Sequence, residues 1–139
     1  MNRIDFQTLA DNRIHEALAL MSVNPSWPSG VYYLAGYAVE CALKAVICKK
    51  FREHDWPDKK FVSDCHTHGI LELVRHADLK SDLDAAAAAN RTLADFLGVV
   101  KDWNERSRYE RRTEAEATKL IAAITDPVNG VLQWIKAHW

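Results

Sequence analysis

Three groups of residues in this 139-residue chain carry side chains suited to chemistry. The first is Glu40 with Lys44, the only charged residues between Val31 and Cys48. They are four apart with the acid first, the favourable order for pairing along a helix. Buried, each charge is costly unless paired. Two uses fit: an ion pair that ties helices together, or a ligand contact or dimer seam. The second group is Asp64-Cys65-His66-Thr67-His68. In a strand, His-x-His would align both rings. At a helix start, residues two apart diverge, and a metal centre needs three or four convergent ligands. No metal is therefore expected. His68 is left with a polar contact at the helix start or an acid–base role, for which histidine is the best-suited side chain near neutral pH. The third group is the segment from Lys101 to Arg112, with five cations, two aromatics and three acids. Arginine grips phosphate through two parallel hydrogen bonds, and Trp or Tyr stacks on a base. The interspersed acids argue against a simple phosphate track. The segment fits a solvated connector, an RNA-binding edge or a protein contact. No Gly-rich phosphate loop, His-Glu-x-x-His, Cys-x-x-Cys or Gly-x-Ser-x-Gly is present.

These groups need a scaffold, and the bulk numbers bound it. The length suits one domain over residues 1–139. Such a domain buries roughly two-thirds of its unfolded surface and folds without a metal or disulfide. Gly and Pro are scarce, at 5 and 4, which disfavours a turn-rich β fold. The net charge is −1, so any nucleic-acid surface must be local. Cys41 and Cys48 lie two helical turns apart, about 10 Å, too far for a disulfide. Reduced, packed thiols in a cytoplasmic protein are the expectation. The first residues, MNRIDFQTLADNR, carry no apolar signal-peptide core. Val31–Cys48 is apolar enough to suggest a membrane span, but Glu40 and Lys44 disfavour that reading. No membrane is expected.

Hydrophobic periodicity predicts five helices and no strand. The first runs from Ile4 to Met21, with Phe6, Ala10, Ile14, Ala17, Leu18 and Met21 on one face. The second runs from Gly30 to about Lys50, with Ser29 as its N-cap. It is apolar on every side, as a helix surrounded by other helices is. A loop from His54 to about His66 follows. A short third helix covers Thr67–His76, capped by Asp64 or Thr67. The fourth starts near Ser81 or Asp82, with an apolar stripe from Ala86 through Ala89, Leu93, Phe96, Leu97 and Val100 to Trp103. Thr113-Glu114-Ala115-Glu116 forms a capping box for the fifth. That helix carries Ala117, Leu120, Ile121, Ile124, Val128, Val131 and Ile135. Pro127 kinks or splits it, with Asp126-Pro127 as a possible cap and first position of a second short helix. Five tryptophans are assigned by default to core and interface.

The run Tyr32-Tyr33-Leu34-Ala35-Gly36-Tyr37-Ala38-Val39-Glu40-Cys41-Ala42-Leu43-Lys44-Ala45 resembles the second helix of HEPN domains. There a run rich in small residues leads into Glu-x-x-x-Lys-Ala. Thr67-His68-Gly69-Ile70-Leu71 resembles that family's Thr-His-x-Leu, and Arg108-Tyr109 resembles the Arg-Tyr before its last long helix. The three matches occur in order over residues 30–139. The resemblance implies an all-α, up-and-down helical bundle of about five helices, of the type that serves as a nucleotidyltransferase's substrate-binding subunit. It also implies a homodimer, a nucleotidyltransferase partner, and a prokaryotic conflict or toxin–antitoxin setting. Many family members are metal-independent ribonucleases with an Arg followed, after four to six residues, by a His. No arginine here is followed by a histidine at that separation.

Three functions follow. The leading one is a binding module without a cofactor, engaging RNA, a nucleotide or a nucleotidyltransferase through Glu40, Lys44, Arg108 and Tyr109. The second is a ribonuclease with a rearranged site: His68 as base, Arg106 and Arg108 as phosphate clamps, and Tyr109 as donor. It requires His68 to approach the Arg106–Tyr109 segment. The third is a purely structural dimerisation domain, which predicts no concave polar pocket.

Overall fold

Helix α2, Pro28–Cys48, is the axis on which everything else packs. A computed structural model describes residues 1–52 and 56–139. Positions 53–55, where the expected loop begins, lie outside the described residues. In α2, Val31, Ala35, Ala38, Val39, Cys41, Ala42, Leu43 and Ala45 are each at most 1% exposed. Helix α1 (Arg3–Ser22) lies along it, and α4 (Ile70–His76), α7 (Glu114–Thr125), α8 (Val131–Lys136) and a 3-10 helix (Glu105–Tyr109) cover the rest. That enclosure is why α2 is apolar all round. The 18-residue window apolar enough to cross a membrane is 72% buried by these neighbours.

Helices α1 and α2 form an antiparallel hairpin. The Trp27 N–H donates to the Leu20 carbonyl at one end, and Phe6 and Ile47 line one cleft at the other. Ala10 and Ala17, seven residues apart, are wholly buried; their small side chains let the two backbones come close. Leu18, expected on that inner face, is 44% exposed, and Leu20 packs inward instead. Close approach recurs at Gly36. A Cβ there would collide with the indole of Trp103, which is 1% exposed.

The architecture is all-helical among the described residues, with eight α-helices and the 3-10 helix rather than five segments. Each difference has a local cause. Pro28 opens α2 at its first turn, where a missing N–H costs nothing. Trp27 occupies the cap position, and Ser29 Oγ accepts the Arg112 backbone N–H at 2.9 Å. The expected loop contains α3, Lys59–Asp64, whose N-cap Asp58 accepts the Phe61 N–H at 2.7 Å. Helix α4 begins only at Ile70, so neither Asp64 nor Thr67 caps it; Thr67 Oγ1 accepts the Gly69 N–H instead.

The expected fourth helix is two, α5 (Lys80–Ala89) and α6 (Arg91–Val100). Asn90 separates them: its extended backbone ends α5, and its side chain caps α6 by accepting the Leu93 N–H. Ala89 is consequently exposed, and Leu83 takes the core position in α5. Asn90 also donates to Asn129 at 2.8 Å, tying this break to the one at Pro127. There Asp126 Oδ1 accepts the N–H groups of Val128 and Asn129, forming a turn. Pro127 thus splits the last helix. The second part starts at Val131, not Pro127, and Val128 is 81% exposed rather than in the stripe. The Thr113–Glu116 capping box forms in full.

Candidate functional site

The Glu40–Lys44 pair forms as its spacing predicts, with Lys44 Nζ 2.7 Å from Glu40 Oε1. Glu40 is 2% exposed, so its charge is held by partners rather than water. The second partner comes from 28 residues away. His68, in the turn before α4, places Nδ1 2.9 Å from the same Oε1. An ionised carboxylate only accepts, so in this contact His68 Nδ1 is the donor. The His68 side chain is 46% exposed. Glu40 Oε2 is buried and has no hydrogen-bond partner among the described residues.

These three residues line a cleft of about 730 Å³. That volume falls in the range of small-molecule sites. Arg3 and Phe6 of α1 and Tyr37, Ile47 and Cys48 of α2 contribute to its walls, with Val62, Cys65 and His66 from the α3 region. The cleft therefore mixes charged and hydrogen-bonding groups with apolar ones. Burial raises the Tyr37 hydroxyl above its ordinary pKa, helped by the nearby Cys41 thiol and Glu40 carboxylate. Burial also pushes up the cleft thiols Cys48 and Cys65. Cys41, behind the wall, is pushed up to about 12, chiefly by burial and then by Glu40. All three cysteines are free thiols.

Members of the Asp64–His68 cluster turn to separate partners. Asp64 pairs with Lys60 at 2.5 Å while His68 turns to Glu40. Among the described residues, no three His, Cys, Asp or Glu side chains converge as metal ligands would.

The segment from Lys101 to Arg112 lies toward the other end of α2. Trp103 is buried against Gly36 and Tyr33, with ring centroids 6.2 Å apart for the aromatic pair. Arg112 lies 4.3 Å over the Tyr32 ring and pairs with Glu110 and Glu116. Arg106 and Arg108 are exposed and make no ion pair among the described residues. Arg108 stacks 4.9 Å over Tyr109, which is itself 79% exposed. No hydrogen bond or ion pair joins His68 to Arg106, Arg108 or Tyr109. Tyr32 and Glu40 mark the two ends and are about 12 Å apart along the helix axis. The structure thus unites Glu40, Lys44 and His68, and leaves Arg106, Arg108 and Tyr109 elsewhere.

Cys65 and His66 come from the Asp64–His68 group, but Arg3, Phe6, Tyr37, Ile47 and Val62 were not singled out in the sequence for the site. One signal was available: Tyr37, Glu40, Lys44, Ile47, Cys48 and Phe51 follow helical spacing and define a face. Arg3, Phe6 and Cys65 reach it only through tertiary packing. Comparison of the chain with protein-family models, curated proteins and solved structures yields no match.

Proposed function

We propose that this chain is a HEPN-like binding module whose ligand is a nucleotide held in the cleft at Glu40, Lys44 and His68. The observation that carries the proposal is the meeting of polar and charged side chains, Arg3, Lys44 and His68 among them, with the apolar and aromatic Phe6, Tyr37 and Ile47 in one cavity of ligand size. Arg3 and Lys44 supply positive charge for a phosphate, and Phe6 and Tyr37 supply faces against which a base can pack. By this proposal the protein works in the cytoplasm as a homodimer beside a nucleotidyltransferase partner, in a prokaryotic conflict or toxin–antitoxin setting. The test is calorimetric titration with AMP, ATP and GTP. Expected is saturable binding, weakened at least tenfold in Lys44→Ala, since a hydrogen bond to a charged group contributes about 1.5–3 kcal/mol. Absence of binding at millimolar nucleotide sinks the proposal.

A second function, metal-independent ribonuclease, is favoured by one observation: Glu40 holds His68 through Nδ1 at 2.9 Å, the geometry in which a neutral imidazole offers Nε2 as a base. Its other candidates, Arg106, Arg108 and Tyr109, have no contact with His68. Incubation with total RNA in a chelator tests it. Cleavage lost in His68→Ala and kept in Arg108→Ala would put the chemistry in the cleft. A purely structural role is disfavoured by the concave polar site, which that role does not require.

A further inference from the structure

Two of the three thiols share the cleft. Cys48 ends α2 and Cys65 follows the last residue of α3. Both are free, half-buried and part of the cleft wall, whereas Cys41 is wholly buried behind it. Two contacts between described residues fix how the chain carrying Cys65 runs against α2. The Phe61 ring meets Phe51 with centroids 5.7 Å apart, and His68 meets Glu40 at 2.9 Å. From Phe61 to His68 the chain therefore runs antiparallel to α2. Cys65 falls between these contacts, and so does Cys48 on the α2 side. Each cysteine is one helical turn from the ring contact. The Cys65 N–H donates to the Phe61 carbonyl at 3.0 Å, and the Phe51 N–H donates to the Cys48 carbonyl at 3.3 Å. One turn along each segment, on the same side of a shared contact, brings the two cysteines to neighbouring positions of one wall.

Their surroundings suit thiol exchange. Burial raises both thiols, and nearby cations oppose it: the N-terminal amine and Arg3 at Cys48, Lys50 and then Lys44 at Cys65. The Cys48 thiol is itself among the groups that raise Cys65. A cation beside a thiol favours the thiolate, the form that attacks a disulfide.

We infer that Cys48 and Cys65 are a redox site, joined by exchange with a low-molecular-weight disulfide such as glutathione disulfide, and that the bridge narrows the cleft beside Lys44. The Cys65 thiolate attacks one sulfur of glutathione disulfide, and a glutathione thiolate leaves and takes up the proton that Cys65 released. The Cys48 thiolate then attacks Cys65 Sγ of the mixed disulfide and expels the second glutathione. Two protein thiols lose two electrons and two protons, and one glutathione disulfide becomes two glutathiones. The bond stands independently of the nucleotide proposal; its effect on the cleft's ligand rests on that proposal.

The experiment incubates the full chain with glutathione disulfide, blocks remaining thiols with iodoacetamide and digests without reductant. Expected by mass spectrometry is a linked Cys48–Cys65 peptide pair, lighter by two hydrogens than the separate peptides, with Cys41 outside the linkage. Its formation should quicken from pH 7 to pH 9 as the thiolate fraction grows. AMP affinity should fall at least tenfold on oxidation, about the effect of losing one hydrogen bond to a charged group, and recover with dithiothreitol. In the Cys48→Ser/Cys65→Ser chain, AMP affinity should not respond to the oxidant. Glutathione adducts without a linked pair overturn the site. A linked pair with unchanged AMP affinity overturns the narrowing of the cleft. No AMP binding by the reduced chain sinks the nucleotide proposal, while a linked pair that dithiothreitol reverses still upholds the redox site.

Discussion

Residues 49–60 and residues 101–112 are two twelve-residue segments of nearly the same make-up. Each holds five cations, three acids and two aromatics. The fold uses them in opposite ways. In the later segment Trp103 is a core anchor against Gly36, and Arg112 is committed to Tyr32, Glu110 and Glu116. In the earlier one Trp56 faces outward, and Phe51 joins two concave surfaces. Charge and aromatic density alone cannot tell an exposed aromatic from a core anchor. The side on which the indole lies decides it, because a ring buried in the core has no face left for a ligand.

The sharpest test of that contrast is stability. Trp103→Ala should cost about 3–5 kcal/mol, as deletion of a large buried ring does, while Trp56→Ala should stay within about 0.5 kcal/mol. Urea unfolding followed by circular dichroism measures both, and equal losses would break the comparison. Gly36→Ala tests the same anchor from the other side. Its methyl group meets the indole, so an overpacking loss of about 1–3 kcal/mol is expected.

Thiol accessibility discriminates next. Cys41 is wholly buried with its thiol pushed up to about 12, whereas Cys65 lines the open cleft. Iodoacetamide at pH 8 should alkylate Cys65 well before Cys41, and mass spectrometry reads the order. Preferential labelling of Cys41 would mean that α2 is not enclosed in solution.

Acid sensitivity belongs to the later segment's flank. Hydrogen bonds from the Thr113 backbone N–H and hydroxyl hold the Glu116 carboxyl below the usual carboxylate range. A folded-state pKa below the unfolded one gives stability that is present above the unfolded value and lost as pH falls through the folded one. Glu116→Gln should therefore flatten the fall in melting temperature on the acidic side of that range and leave the neutral-to-alkaline slope unchanged. The smallest expected effect is Arg108→Ala, within about 0.5 kcal/mol by the same unfolding assay, because Arg108 is exposed, makes no ion pair among the described residues and stacks on the exposed Tyr109 ring.

Local physics made part of this protein legible in its residues. Helix α2 announces itself by apolar positions on every face. The Glu40–Lys44 pair follows from one helical turn of spacing, and the Thr113–Glu116 box from hydrogen bonds three residues long. Each depends on neighbours that the helix itself brings together. The break at Asn90 was masked because helix propensity and the apolar stripe run smoothly through it, while the cap and the Asn129 contact that hold it are specific to the fold. His68 shows the limit most clearly. Its chemical type was readable, but its partner Glu40 lies 28 residues away. Only closure of the chain around α2 brings the two within hydrogen-bond reach and leaves Arg108 and Tyr109 toward the opposite end. Sequence determined which charges this protein carries along its central helix; tertiary packing decided which of them share a cleft, since burial and long-range proximity are properties of the assembled core.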